Sequence, residues 1–241
     1  MFDCTTHDYD LLYAPWLKDP GKLLRLAHYN PTQDTLLDLC GGTGAVACHA
    51  LVYRAEATGR GYAGPAIVLL DKNPRVDDHT FGKYIVSVPL DVNKRWLGLR
   101  KPFDVIVCRQ ALGYVQDLGT FFYQVAHRLH PRGRFVFNTF ENAPKWRMRK
   151  HEDTSGRPYR DFSLRVGRWI WHLQMTKAWD HRFHMKRWRW DISIFRHHTR
   201  EEIEKAMDKY FTFAVENEGN SLRYVCNHKV QHGGGWQWPT S

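Results

Sequence analysis

Apolar residues gather in five short runs along the first 140 positions, at 35–40 (TLLDLC), 66–71 (AIVLLD), 84–89 (YIVSVP), 103–108 (FDVIVC) and 134–138 (RFVFN). These runs are rich in β-branched and aromatic residues and barely alternate, the pattern of strands covered on both faces. Helical stretches lie between them. Residues 44–57 form one, ending before Gly59, a suitable C-terminal stop. Asp117 is a good N-cap for another, carrying Phe121, Phe122, Val125 and Leu129 and expected to close at Pro131-Arg132-Gly133. Alternating strands and helices predict an α/β fold built on a doubly wound, mostly parallel sheet. In such sheets ligands bind beyond the carboxyl ends of the strands.

The end of the chain breaks this rhythm. Thr199-Arg200-Glu201-Glu202 reads as a capping box opening a helix to about Lys209, with Ile203, Ala206 and Met207 as its apolar stripe. Residues 211–216 and 222–227 then read as two strands of a terminal antiparallel hairpin, joined through Glu218-Gly219-Asn220-Ser221. Together with the five earlier strands this predicts a seven-stranded sheet. Residues 231–241, with Gly233–Gly235, read as a flexible tail.

Residues 144–198 interrupt the alternation. Residues 164–179 and 183–195 are long, imperfectly alternating runs, with Asp180-His181 as a candidate turn, and predict an antiparallel β cap over the sheet's carboxyl edge. One face of the second run presents Trp188, Trp190, Ile192 and Ile194, and the other Arg187, Arg189 and Asp191. The domain reading is therefore a helical lid at 1–34, a core at 35–143 and 199–230, an inserted cap at 144–198 and the tail.

Charge sharpens this division. The chain has 241 residues and a formal net charge of +10, from 35 Lys/Arg and 25 Asp/Glu. Between Pro144 and Arg200 lie 15 Lys/Arg against 5 Asp/Glu, so the rest of the chain balances at 20 of each. Six of the ten tryptophans share that basic segment. Such a segment suits an aromatic or anionic acceptor, or the phosphates of a nucleic acid. Its six histidines lack the HExxH spacing of a zinc site, so no metal is expected. The five cysteines are far apart with no CxxC pair, which fits a reducing cytoplasm, and no apolar run is long enough for a membrane span.

The densest chemistry lies in Leu37-Asp38-Leu39-Cys40-Gly41-Gly42-Thr43-Gly44, which ends the first strand and opens a helix. Glycines let the backbone approach a ligand closely, and helix-terminal amides can then face it. Asp71 closes the second strand, where a carboxylate can accept bonds from ribose hydroxyls. Asp91 follows the third strand, within reach of an adenine amino group. Asp38, inside the strand before the glycines, would repel a pyrophosphate but attract a cationic amino acid end.

With these residues the sequence resembles the class I S-adenosylmethionine-dependent methyltransferases. LLDLCGGTG resembles their L-D-x-G-x-G-T-G loop, and FDVIVCRQALGYVQD and RLHPRGRFVFN resemble their fourth-strand and fifth-strand stretches. Cys40 departs from the pattern, standing where the family usually has its first glycine, and is expected to be tolerated. The resemblance implies S-adenosylmethionine as cofactor, held by Asp38, Cys40, Gly41, Gly42, Gly44, Asp71, Lys72, Asp91, Val92 and Arg109. The segment Tyr9-Asp10-Leu11-Leu12-Tyr13 and the pair Gly113-Tyr114 further resemble capped small-molecule N-methyltransferases, which implies that Tyr9 lies over the donor. Gln110, Tyr114 and His172 are the candidate catalytic groups on the acceptor side.

The function expected is methyl transfer to N or O of a small molecule beneath the cap. A nucleic acid methyltransferase using the basic insertion is the rival reading, although the fourth strand ends in Cys108-Arg109-Gln110-Ala111, without the N/D-P-P-Y/F/W motif of exocyclic-amine enzymes. A catalytically silent donor-binding module is the third. No membrane partner is expected, and a monomer and a homodimer both remain open.

Overall fold

A computed structural model describes residues 21–59, 61–74, 76, 81–99, 102–140, 146–152, 158–180, 185–218 and 221–229. Five parallel strands, β1 (Leu36–Leu39), β2 (Ile67–Asp71), β3 (Ile85–Pro89), β4 (Phe103–Arg109) and β5 (Leu129–Phe140), join the pair β10 (Phe211–Glu218) and β11 (Ser221–His228). Their order is β10-β11-β5-β4-β1-β2-β3, with β11 antiparallel to both β5 and β10. The expected seven-stranded α/β sheet is therefore present. The chain winds outward from β1 through β2 to β3, then returns to lay β4 on the other side of β1. That reversal opens a crevice between the carboxyl ends of β1 and β4, the usual ligand position in such sheets.

Burial explains the continuous apolar runs. Leu37, Leu39, Val68, Leu70, Ile106 and Cys108 enter one core, while Leu36, Ile67, Leu69, Val105 and Val107 enter another across the sheet. The first core is closed by α3 (Leu118–Ala126), through Phe121, Phe122 and Val125, and by α4 (Arg200–Met207), through Ile203 and Met207. The second is closed by α1 (Gly21–Leu26) and α2 (Ala45–Thr58), including Leu24, Val46, Ala50 and Leu51. Strand β3 departs from the two-sided expectation. It is the sheet's edge, and Val86 is exposed.

The caps act as their chemistry requires. Asp117 accepts from Gly119 N at 2.9 Å, and Thr199 and Glu202 form the reciprocal box at 3.2 and 3.0 Å. α4 ends at Met207, two residues short of the expected Lys209. α3 also ends early, at Ala126, and Leu129 belongs to β5 instead. The reason is tertiary. Phe103 N donates to Arg128 O at 2.7 Å, drawing the chain into the sheet directly after the helix. Pro131-Arg132-Gly133 then lies in a register shift inside β5, between Leu129 paired with Phe103 and Arg134 paired with Val105. A Cβ on Gly133 would lie 2.7 Å from Asp104 O, so the bulge needs glycine there.

The insertion is a sheet of four strands, not a two-stranded hairpin. They are β6 (Trp146–Glu152), β7 (Pro158–Val166), β8 (Trp169–Asp180) and β9 (Met185–Arg196), antiparallel in sequence order. The run at 164–179 divides at Gly167, whose φ of 58° suits a tight turn between β7 and β8. Ile170 on β8 is buried and Phe195 on β9 is half-buried, which places that side of the cap against the body of the protein. Trp169 and Trp171 lie half-exposed on the opposite side, so they form no buried second core. The other four tryptophan side chains of the segment, the Asp180-His181 turn beyond Asp180, residues 1–20 with Tyr9, and the tail lie outside the described residues.

Candidate active site

The turn after β1 is the floor of the crevice. Cys40, Gly42 and Gly44 take φ values of 54°, 57° and 77°, a left-handed stretch that glycine enters freely and cysteine at a cost of ~1–2 kcal/mol. Cys40 thus stands where glycine suits the backbone best. Its thiol hydrogen-bonds with Cys108, and that contact with burial holds it protonated, well above the usual thiol range. Gly41 is required for another reason. A Cβ there would meet Leu69 and lie 2.6 Å from the Asp38 carboxyl.

Asp38 lies fully buried beneath this turn. Its Oδ2 accepts from Ala47 N, in the first turn of α2, at 3.2 Å. Its Oδ1 has no hydrogen-bond partner among the described residues. Burial raises the carboxyl to about 7, opposed by the positive charge of Arg109 and the Ala47 bond and assisted by Asp71. A buried carboxylate with an unfilled lone pair and a raised pKa calls for a cation.

Two further carboxylates line the carboxyl edge. Asp71 Oδ2 accepts from Gly42 N at 3.0 Å and its Oδ1 from Asn73 N at 2.8 Å, each oxygen keeping capacity for another donor. Asp91 Oδ1 accepts from Asn93 N at 3.0 Å and Asn93 Nδ2 at 3.1 Å, and these bonds hold its carboxyl below the usual range. Lys72 Nζ lies 3.8 Å from Asp91 Oδ2.

Across the crevice, β4 ends in Arg109 and Gln110. Gln110 has a φ of 52°, and Asn138 Oδ1 at the end of β5 accepts its N–H at 2.9 Å. A buried side chain therefore supports an unusual backbone beside the crevice. The one-turn helix Leu112–Tyr114 follows, and here the cap is rooted. A Cβ on Gly113 would lie 2.9 Å from Phe195, whose ring is 6.3 Å from that of Tyr114. His198 Nε2 bonds Val115 O at 2.9 Å and Arg196 Nη1 donates to Gln116 O at 3.0 Å. Burial keeps His198 below the ordinary histidine range, so the neutral ring donates from Nε2. Asn93 Nδ2 also donates to Tyr114 O at 3.0 Å, while Gln116 N donates to Asn93 Oδ1 at 2.7 Å, tying the Asp91 end of the crevice to the cap root.

The fold thus brings Asp38, Cys40, Gly41, Gly42, Gly44, Asp71, Lys72, Asp91, Arg109, Gln110 and Tyr114 to the carboxyl ends of four neighbouring strands. Val92 is buried in the core, where its carbonyl accepts from Trp96 Nε1 at 3.2 Å. His172 enters only through its backbone register on β8, opposite Ser163 and Ser193. Sequence reasoning missed Asn93, Asn138 and His198. Asn138 is visible as the polar close of RFVFN, but the partners that give the three their place at the site lie 21 to 83 residues away. Among the described residues no group of three His, Cys, Asp or Glu could hold a metal, and no helix is long and apolar enough to cross a membrane.

The crevice fits the methyl donor on its own chemistry. Asp38 Oδ1 is an orphaned acceptor for an ammonium, Asp71 retains acceptor capacity for a diol, and Gly41 leaves room that a Cβ would fill. Similar proteins agree. A family profile described as a methyltransferase domain matches residues 17–210. The structure aligns with an S-adenosylmethionine-dependent methyltransferase from Clostridium acetobutylicum ATCC 824 at a TM-score of 0.69 and 16% identity, covering 92% of this chain and 96% of that one. It aligns with DesVI of Streptomyces venezuelae at 0.69 and 18% identity, covering 95% and 100%, and with the sugar N-methyltransferase KedS8 of Streptoalloteichus sp ATCC 53650 at 0.64 and 18%, covering 92% and 93%. Among curated proteins no sequence match was found. With most of its length matched by that profile, the chain belongs to the methyltransferase-domain family and is a methyltransferase.

Proposed function

We propose that this protein methylates N or O of a small-molecule acceptor held between the donor crevice and the inserted cap. The observation that carries the reading is the seating of the cap. Gly113, Tyr114 and Phe195 meet without room for a Cβ, beside the end of β4 and across from the glycine turn. An acceptor between the donor crevice and the cap seated there is flanked by both sheets and kept from bulk water.

When bound, the donor supplies an electrophilic methyl carbon on a sulfonium. Asp38 holds its ammonium and Asp71 its ribose hydroxyls, with Asp91 and Lys72 at the adenine end and the turn Cys40–Gly44 beneath. Tyr9, outside the described residues, is assigned to the same group by the resemblance of its segment. Gln110 and Tyr114 orient the nucleophile in line, and positioning of this kind contributes much of such an acceleration. His172, on β8 of the cap, takes the proton that the acceptor releases. A relative that is a sugar N-methyltransferase supports an amino sugar as the acceptor type.

The test is formation of S-adenosylhomocysteine with a panel of amino sugars, free and nucleotide-linked, against RNA and duplex DNA. Turnover with an amino-bearing small molecule, lost in Tyr114→Ala and Gln110→Ala, supports the reading. Turnover confined to nucleic acid transfers the function to that rival, and donor binding without turnover on any acceptor marks a silent binding module.

A further inference from the structure

Asn93 follows β3, and the strip 113–116 follows β4, in and just after the one-turn helix Leu112–Tyr114. The side-chain amide of Asn93 joins the two. Its nitrogen carries two hydrogens and meets two acceptors, Asp91 Oδ1 at 3.1 Å and Tyr114 O at 3.0 Å. Its oxygen accepts from Gln116 N at 2.7 Å, and the backbone N–H of Asn93 adds a second bond to Asp91 Oδ1 at 3.0 Å. The arrangement demands an amide. An aspartate, or the same amide turned over, would set an oxygen against both the Asp91 carboxyl and the Tyr114 carbonyl.

The cap holds the same strip. A Cβ on Gly113 would lie 2.9 Å from Phe195 and 3.1 Å from Arg196 O. Val115 O bonds His198 Nε2 at 2.9 Å, and Gln116 O accepts from Arg196 Nη1 at 3.0 Å. Val115 O and the N–H of Gln116 belong to one peptide unit, planar and rigid, and in its trans form they point to opposite edges. His198 therefore grips one edge of this plane and Asn93 the other, so the plane cannot turn without breaking both bonds.

We propose that Asn93 is a positioning residue for methyl transfer, coupling the carboxylate at the adenine end of the donor to the seat of the cap through the plane shared by Val115 and Gln116. The inference rests on the reading of Asp91 as that carboxylate. Asp91 Oδ2 takes no part in the Asn93 bonds and lies 3.8 Å from Lys72 Nζ. A donor bond to Oδ2 restricts rotation of the carboxylate, which fixes Oδ1, and with it Asn93 and the backbone of Tyr114. Asn93 is itself exposed, so water competes for its bonds and each is weak until the carboxylate is anchored. Donor occupancy thereby orders the acceptor side from the adenine end. By linkage, a cap seated over an acceptor raises donor affinity by the same factor.

The experiment is hydrogen exchange on the full chain, read by mass spectrometry over residues 111–117, with and without saturating S-adenosylhomocysteine. In the wild type the ligand should slow exchange there about fivefold or more, the lower end of ordinary coupling between sites. Asn93→Ala should still bind the ligand, as protection over residues 37–47 reports, yet lose the ligand-dependent slowing at 111–117. A merely structural Asn93 would speed exchange equally with and without ligand and leave the ratio standing. If circular dichroism shows that Asn93→Ala unfolds, Asn93→Asp serves, since it keeps the acceptor for Gln116 N, loses the bonds to Tyr114 O and Asp91, and should lose the ratio likewise. A wild-type ratio near one, or a ratio unchanged in the variant, overturns the proposal. Calorimetry on Asp91→Ala separates the two levels. Unchanged affinity for S-adenosylhomocysteine removes the adenine reading of Asp91 and the proposal with it, whereas weakened affinity beside an intact ratio in the Asn93 variant overturns this inference alone.

Discussion

Asp38 should couple donor binding to proton release. Its carboxyl is fully buried with one oxygen unpartnered, and burial raises it to about 7. Arg109 and Asp71 are the charged groups that face it, the first opposing the rise and the second adding to it. An ammonium placed against Oδ1 favours the ionised form, and a protonated Asp38 must therefore shed its proton on binding. With a carboxyl near 7, about nine-tenths of sites are protonated at pH 6 and about one-tenth at pH 8, so affinity should rise about tenfold between them. The assay is titration calorimetry with S-adenosylhomocysteine in buffers of different ionisation enthalpy. The slope of observed enthalpy against buffer enthalpy should report about 0.9 proton released at pH 6 and about 0.1 at pH 8. Asp38→Asn should abolish the slope and weaken binding by ~1.5–3 kcal/mol, the range for a lost bond to a charged group. For folding the sign reverses. A carboxyl raised on folding adds stability that is full below about 4 and is lost as pH rises through about 7, on the order of 4 kcal/mol in all, and Asp38→Asn should flatten that decline. A zero slope at pH 6 with pH-independent affinity would refute the ammonium assignment.

Asp71→Ala should weaken donor binding by ~1.5–3 kcal/mol in the same calorimetry, since it removes the ribose acceptor and the bond from Gly42 N. Cys40→Gly should leave donor affinity intact, whereas Cys40→Val, a β-branched residue at positive φ, should cost ~1–2 kcal/mol of stability in denaturant titration. Asn138→Leu should lower turnover with little change in donor affinity, because only the Gln110 backbone loses its acceptor. Arg54→Met should be severely destabilising. The buried guanidinium donates to the carbonyls of Pro31, Tyr62 and Pro65, and leaving three acceptors unpaired at ~1–3 kcal/mol each should lower Tm by ten degrees or more.

The sequence by itself determined the alternation of strands and helices, the glycine turn, the carboxylates Asp38, Asp71 and Asp91 at or beside three strand ends, and the two helix N-caps. Each is local, since an apolar run, a capping side chain or a glycine acts through neighbours a few residues away. The tertiary structure alone decided the rest. Leu129 left its helix because Phe103 draws residue 128 into the sheet, and the long run at 164–179 split at Gly167 because β7 and β8 pair with each other. Gln110 owes its backbone to Asn138, 28 positions away, and Val115 its hydrogen bond to His198, 83 positions away. The two-faced character of the cap also emerged only with its register. Alternation along one strand shows that two faces differ, but which face meets the body and which is left bare depends on how four strands are paired and where Phe195 and Ile170 find something to bury against.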